Sequence, residues 1–262
     1  MKALVLLLFA VFIFILHETG EITRFINPKY LFFSQIASVI FLLLFFIQVP
    51  RIFASSAYDH SECGPWGCSH EDEEEGGMVK IILAYGLISL PLLTGFLLPY
   101  KDFGAEEALK RGISYSTLDH GHLEDHDEVL NHQINKTVQE MLKQPVLEFD
   151  NENFARFIGA VTTHPENFLG KQVVVEGFIL NDDSLSNKLT VITRFLVTHC
   201  VADAHAVGLV IEKGDTLGIK ENTWVRVKGE LSIKKTDNIL LPTIKISSWK
   251  EIQSPMDPYV YP

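Results

Sequence analysis

The sequence contains little cysteine, little positive charge and no recognisable catalytic motif. Three cysteines occur in 262 residues, and an odd, small number does not make a disulfide framework. The 22 Lys and Arg are outnumbered by 33 Asp and Glu, so the formal net charge is −11, which disfavours binding to a phosphate backbone. The chain has no nucleophile elbow, phosphate-binding glycine loop or HExxH motif. We therefore predict a protein that is not an enzyme and does not bind nucleic acid.

Long apolar runs are present, and they are concentrated in residues 1–100. We predict three membrane spans, at about residues 3–16, 31–49 and 81–98, because a bilayer core about 30 Å thick is crossed by about 20 apolar residues. The first run is short, and a cleaved signal peptide is the alternative, although no convincing cleavage site follows it. The remaining chain divides into a predicted linker, residues 101–144, and a soluble domain, residues 145–262.

The third apolar run contains Pro91 between Gly86 and Gly95. Proline kinks a membrane helix, and small residues let another helix approach closely. This run is therefore either a packing face for a partner subunit or a plain kinked span. Three spans place the termini on opposite sides of the membrane. The flanking Lys and Arg give a weak bias that favours an extracytoplasmic C-terminal domain.

The loop between the second and third runs, residues 51–77, has the residue types of a metal site. Four candidate ligands precede a run of acids, namely His60, Cys63, Cys68 and His70. Thiolate and imidazole are zinc ligands, and the glycines and proline between the two cysteines favour a tight turn. A Cys63–Cys68 disulfide and a plain solvated loop are the alternatives.

A second set of candidate ligands lies in the linker, where His120, His122 and His126 occur among Asp and Glu residues. If this segment is helical, His122 and His126 lie on one face at i, i+4 and can chelate one ion. The alternative is a hydrophilic linker that collects metal weakly. An amphipathic helix is predicted to follow, at residues 129–142.

The soluble domain changes to short alternating segments. They predict a short helix at residues 152–161 and strands at 172–180, 189–198, 207–212, 224–233 and 239–249, with turn residues between them. Five strands in about a hundred residues predict an all-β domain with an OB-like five-stranded barrel. The predicted fold class is thus a membrane α-helical N-terminal part followed by this barrel.

The end of the second predicted strand carries His199, Cys200, Asp203 and His205. Adjacent strand residues point to opposite faces, so His199 and Cys200 share an ion only if the strand ends or bulges there. We predict one zinc ion held by His199 and Cys200, with Asp203 or His205 completing the set. The alternative is a small buried core cysteine beside an incidental histidine.

Several phrases of the sequence resemble the YcgQ-like family of bacterial membrane proteins. They include GEITRFINPKY, LPLLTGFLLP, TRFLVTHCVADAHAVGLV and PMDPYVYP. The resemblance implies N-terminal membrane helices, a C-terminal domain of unknown function and a role as one subunit of a two-component permease, with a YcgR-like partner. It also implies a link to zinc. The family's THCVADA segment usually carries two adjacent cysteines, whereas the first is His199 here, which keeps a zinc ligand and removes a dithiol option.

Together these patterns predict an accessory subunit in the bacterial cell membrane, multi-pass and in contact with lipid. It would partner a multispanning permease and handle a divalent cation, with zinc as the favoured ion. Two other classes stay open. One is a structural or assembly subunit without a metal role, and the other is an extracytoplasmic module that binds an organic ligand or glycan.

Overall fold

A computed structural model describes residues 2–53, 77–98, 101–114, 127–182, 189–212, 218–236 and 239–262. The chain divides into two compact units. The helical unit comprises Met1–Thr23 and Pro28–Lys101, and the sheet unit comprises Arg24–Asn27 and Asp102–Pro262.

The helical unit contains α1 (Lys2–Glu18), α2 (Leu31–Phe53) and α3 (Gly77–Leu97), with 3-10 turns at Glu21–Arg24 and Pro28–Tyr30. Helices α1 and α2 pack through small and aromatic residues. The Ser38 hydroxyl donates to the Ala10 carbonyl (3.1 Å), and the rings of Phe9 and Phe41 stack with centroids 5.6 Å apart. Because Ala10 has a small side chain, the backbone of α1 is within reach of α2.

The two glycines of α3 have different surroundings. A Cβ built on Gly95 would lie 2.5 Å from the Phe12 ring of α1, whereas no described atom lies within 4 Å of one built on Gly86. Gly95 therefore packs within this chain, and Gly86 lies on an open part of the helix.

The prediction of three membrane spans is wrong. Among the described residues, one helix is long and apolar enough to cross a membrane, at Pro28–Pro50, and the apolar part of α3, Ile82–Leu97, is shorter. Helix α1 has 17 residues and ends before Gly20, whose φ of 74° is left-handed. Apolar composition alone did not show where these helices end, and length decides whether a helix can span a bilayer core.

Among its described residues, the sheet unit has three helices and eight strands. The helices are α4 (Ala105–Arg111), α5 (Asp127–Lys143) and α6 (Phe154–Thr163). The strands are β1 (Ile113–Ser114), β2 (Val146–Phe149), β3 (Gln172–Asp182), β4 (Leu189–Leu196), β5 (His205–Ile211), β6 (Trp224–Thr236), β7 (Ile239–Glu251) and β8 (Tyr259–Val260). Two 3-10 turns lie at Pro165–Phe168 and Val201–Asp203.

The prediction of an all-β, five-stranded OB-like barrel is also wrong, because the strands form one mixed eight-stranded sheet. Antiparallel pairs join β3–β4, β4–β5, β3–β6 and β6–β7, and parallel pairs join β1–β5, β2–β3, β4–β8 and β5–β7. The five segments predicted as strands overlap β3 to β7, although the predictions at 189–198 and 207–212 extend beyond the ends of β4 and β5. The strands that were missed, β1, β2 and β8, are only two to four residues long, too short for alternation to identify them.

The core of the sheet unit lies between the sheet and helices α5 and α6. It is built from fully buried aliphatic and aromatic side chains, among them Met141, Phe154, Ile158, Val175 and Ile192. Gly208 of β5 faces β4 so closely that a Cβ would collide with the backbone of Ile192 and Thr193. Close approach between these two strands therefore requires glycine at this position.

Candidate functional site

The turn between β4 and β5, residues 197–204, is organised by one carboxylate. We call it the 197–204 turn. Asp203 Oδ1 accepts a hydrogen bond from the Thr198 N–H (2.9 Å), and Oδ2 accepts from the N–H groups of His199 (2.8 Å) and Cys200 (3.3 Å). The His199 ring lies beside the same oxygen, at 3.2 Å from Nδ1. Asp203 is thus a capping residue that holds the chain where β4 has ended.

These donors also decide the charge state of Asp203. Its partial burial acts to raise the pKa. The backbone N–H groups of His199, Thr198 and Cys200, with the His199 ring, outweigh that effect, and the pKa lies below the ordinary value. Hydrogen bonds to the charged form favour it, so Asp203 is a carboxylate at neutral pH.

Three residues of the predicted zinc site, His199, Cys200 and Asp203, lie on this turn, and His205 begins β5, but the four do not converge on one point. His199 is 68% exposed, Asp203 is 34% exposed, and Cys200 is half-buried and free. His205 Nδ1 lies 3.3 Å from the backbone oxygen of Asp203. In the part of the chain that the structure describes, no group of three or more His, Cys, Asp or Glu side chains is placed to hold a metal ion. Since both Asp203 oxygens accept backbone hydrogen bonds, these residues do not fit zinc by themselves.

The other predicted ligands lie outside the described residues. They are His60, Cys63, Cys68, His70, His120, His122 and His126. Their role in metal binding stays a prediction.

A segment that the sequence placed among membrane helices pairs with the 197–204 turn. Residues 24–27, which we call the strap, form an antiparallel bridge in which Ile26 is opposite Cys200. The Asn27 N–H donates to the His199 carbonyl (3.0 Å), and the Val201 N–H donates to the Phe25 carbonyl (2.8 Å). This segment belongs to the phrase GEITRFINPKY, but its pairing was not predicted, because a single bridge leaves no periodic pattern.

The far side of the turn is held by Arg111, at the end of α4. Its Nη1 donates to the backbone carbonyls of Val201 (3.2 Å), Ala202 (3.2 Å) and Ala204 (3.0 Å), while the guanidinium lies 4.4 Å from the centre of the Phe103 ring. The turn therefore has two sets of partners, the strap and α4.

Arg194 in β4 is 1% exposed and is the most deeply buried charged residue among those that the structure describes in this unit. It donates to the Asn151 side chain (2.6 Å) and to the carbonyls of Asp257 (3.0 Å), Pro258 (3.3 Å) and Tyr259 (3.3 Å). Burial lowers its pKa to about 10, with the charge of Asp257 acting in the opposite direction, so it stays protonated at neutral pH. Arg194 thereby fastens the PMDPYVYP segment to β4.

A cavity of about 330 Å³ opens beside the 197–204 turn, between α5, α6 and the ends of β4 and β5. Ile134, Ala155 and Leu196 form part of its apolar wall, and Thr198 and His205 contribute polar atoms. Its size is near the lower limit for small-molecule pockets.

Three of the phrases that carried the family resemblance meet in the sheet unit: the strap, the β4–β5 segment and the PMDPYVYP segment. Two family models match the chain, the DUF1980 N-terminal domain at residues 1–114 and the DUF1980 C-terminal domain at residues 125–262. The chain belongs to the DUF1980 family. The resemblance to YcgQ-like proteins is thereby confirmed.

Two relatives match almost the whole chain. The UPF0703 protein YcgQ of Bacillus subtilis is 25% identical over 280 residues, which cover 99% of this chain and 98% of the relative. A Streptococcus mutans protein is 23% identical over 267 residues, 94% of this chain and 93% of the relative. It is named "putative two-component membrane permease complex subunit".

Proposed function

We propose that this protein is an accessory subunit of a two-component membrane permease complex, in which α2 anchors it in the bilayer. The observation that carries the proposal is similarity along 94% of the chain to a relative with that name. The Pro28–Pro50 segment, most of which lies in α2, supports it because this segment has the length and apolarity of a membrane span. The partner would be a multispanning permease, and the sheet unit would be the extracytoplasmic part of this subunit.

Co-purification tests this proposal. The full chain, with an affinity tag, is captured from native membranes in mild detergent after light crosslinking, and mass spectrometry identifies the proteins that accompany it. We expect one multispanning permease at an amount comparable to the tagged chain. In a Gly86→Leu variant, a bulky side chain occupies the open part of α3. Comparing permease recovery between this variant and the wild type tests whether this part of α3 contacts the permease. Recovery of ordinary abundant membrane proteins alone would contradict the proposal.

A zinc role for this subunit would rest on the chemistry of the loop cysteines and histidines, because no group of three or more His, Cys, Asp or Glu side chains is placed to hold a metal ion among the described residues. Metal analysis of the purified full chain at neutral pH measures it directly, with Cys63→Ser/Cys68→Ser and Cys200→Ser as separate variants. Bound zinc that only the first variant loses would assign the metal to the loop. Zinc-free wild type would remove the role.

The cavity beside the 197–204 turn favours a second candidate function, a module that binds a small organic ligand. An apolar wall with a few polar groups is the usual lining of a ligand pocket. Saturation-transfer NMR of the full chain in micelles, with a set of small aromatic and aliphatic acids and amides, would identify binders. Ala155→Leu narrows the cavity and should abolish their signal. Binders that keep their signal in this variant would contradict this function.

A further inference from the structure

The strap has an unusual position in the chain. Residues 24–27 lie between α1 and α2, yet they belong to the sheet unit. Their partners are about 170 residues away in the sequence. A contact of such long range does not form by local preference, because closing the intervening chain costs conformational entropy.

The contact depends on a specific side chain as well as on the backbone. Asn27 is 3% exposed, and its amide Nδ2 donates to the carbonyls of Thr198 (2.8 Å) and Val197 (3.3 Å). These carbonyls follow the end of β4. One short amide side chain therefore donates to two backbone carbonyls. A buried carbonyl left without a hydrogen bond would destabilise the fold. Two backbone hydrogen bonds, from the Asn27 N–H to the His199 carbonyl and from the Val201 N–H to the Phe25 carbonyl, flank the Ile26–Cys200 pair and complete the contact.

The strap contacts a turn whose shape is held by its own hydrogen bonds and by α4. Asp203 accepts three backbone N–H groups of the turn, and Arg111 donates to three of its carbonyls. A displacement of the strap would therefore move the 197–204 turn as a body. Helix α2 begins at Leu31, so its first residue stays within about 14 Å of Asn27 whatever the conformation of the link.

We infer that the strap is a tether that keeps the connection between α1 and α2 in the same aqueous compartment as residues 102–262 and transmits movements of the start of α2 to the 197–204 turn. Hydrogen bonds of 2.8 to 3.0 Å cannot join groups separated by a bilayer core about 30 Å thick. The tether does not depend on the identity of any partner, so a failure of the permease proposal would leave it standing.

Pairing of Ile26 with Cys200 permits a direct test. The two hydrogen bonds flank this pair rather than join it, and such pairs have Cα atoms about 4.5 Å apart, within the range of a disulfide. The full chain is expressed with Ile26→Cys in a Cys63→Ser/Cys68→Ser background and oxidised mildly in native membranes. We expect most of the protein to yield a peptide linking residues 26 and 200 by mass spectrometry.

Two control variants sharpen the crosslinking result. Ile26→Cys/Cys200→Ser should give no linked peptide, and Thr19→Cys, an exposed position outside the strap, should link to Cys200 at most to about a tenth of the extent. Equal linking from residues 19 and 26 would overturn the strap. So would labelling of residues 26 and 200 from opposite sides of the membrane by an impermeant maleimide.

The coupling is tested separately with Asn27→Ala. Loss of the amide should loosen the strap and raise the alkylation rate of the half-buried Cys200 by about tenfold, the effect of about 1.4 kcal/mol on the opening equilibrium. Asn27→Asp retains size but removes the donor, and it should behave like Asn27→Ala. A Cys200 alkylation rate equal to that of the wild type in both variants would overturn the coupling.

Discussion

The two units contain similar apolar side chains and place them in opposite ways. In the helical unit, Leu83 is 72% exposed, Leu97 74% and Phe33 65%, whereas Phe154, Phe168 and Phe178 of the sheet unit are at most 1% exposed. The sheet unit buries its apolar surface against itself, and the helical unit presents it outward. Exposed apolar area of that extent marks contact with lipid or with another protein. The same types of apolar side chain are therefore buried in the sheet unit and exposed in the helical unit.

The largest expected effect concerns the buried polar network that the sheet unit needs and the helical unit lacks among its described residues. Arg194→Met removes the donors for Asn151 and three carbonyls. We expect a loss of about 3 to 5 kcal/mol in the free energy of unfolding, because each buried acceptor left without a donor costs about 1 to 3 kcal/mol, seen as a lower melting temperature by near-UV circular dichroism of the full chain in detergent.

Arg226→Met is the control for that substitution, because Arg226 is 36% exposed and forms an ion pair with Glu176 at 3.0 Å. We expect a change of at most about 1 kcal/mol. Equal losses in the free energy of unfolding for Arg194→Met and Arg226→Met would show that burial does not determine how much an arginine contributes to stability.

The next effect compares two leucines of nearly equal exposure, Leu43 in α2 at 57% and Leu169 in the sheet unit at 55%. Leu43→Lys would place a charge in lipid at a cost of about 2.5 to 3.5 kcal/mol, while Leu169→Lys is expected to cost less than about 0.5 kcal/mol in water. Carbonate extraction of membranes measures the fraction that remains inserted. Retention of Leu43→Lys at the wild-type level would contradict a lipid-exposed α2.

A third comparison uses one glycine from each unit. Gly208→Ala would force a Cβ into the Ile192–Thr193 backbone, whereas Gly86→Ala meets open space among the described atoms. We expect Gly208→Ala to destabilise the sheet unit by about 1 to 3 kcal/mol and Gly86→Ala to be neutral or slightly stabilising. The melting temperatures of the two variants measure these changes in stability. A Gly208→Ala variant that melts at the wild-type temperature would show that β4 and β5 can move apart to accommodate a methyl group.

The smallest effect depends on pH. Because the folded-state pKa of Asp203 is depressed, its contribution to stability is present above the ordinary value near 3.8 and is lost as the pH falls through the folded pKa. The melting temperature of the wild type should fall more steeply than that of Asp203→Asn between pH 5 and pH 3. Parallel curves would show that the turn is held without the charge. Partial exposure keeps this effect small.

Sequence patterns predicted the local elements well where a pattern was long. The uninterrupted apolar run at 31–49 predicted a helix that the structure has as Leu31–Phe53, and alternation predicted the segments of β3 to β7. The same patterns overestimated the number of membrane spans. The predicted five-stranded barrel was also wrong. The short strands of the sheet and its parallel pairs β1–β5, β2–β3 and β4–β8 leave no periodic signal in the sequence.

For the candidate site, sequence patterns located the 197–204 turn but did not predict the hydrogen bonds that hold it. They identified His199, Cys200, Asp203 and His205 as unusual, and they predicted that the strand ends there, as it does at Leu196. Asp203 was predicted as one of two residues that could complete a zinc site, and its role in the structure as a cap that accepts three backbone N–H groups was not predicted. Asp at the end of a short turn was the available signal, because such residues often accept local backbone hydrogen bonds.

By itself, the sequence determined the division into an apolar and an alternating region, the position of α2 and the family. These depend on composition and on side-chain periodicity, which are local properties of the chain. Only the tertiary structure decided that Asn27 binds the carbonyls of Val197 and Thr198, that Arg194 fastens the segment at 257–259, and that the strap belongs to the sheet unit. The partners in these contacts are far apart in the chain, and a hydrogen bond between distant groups forms only when the folding of everything between them brings donor and acceptor within about 3 Å.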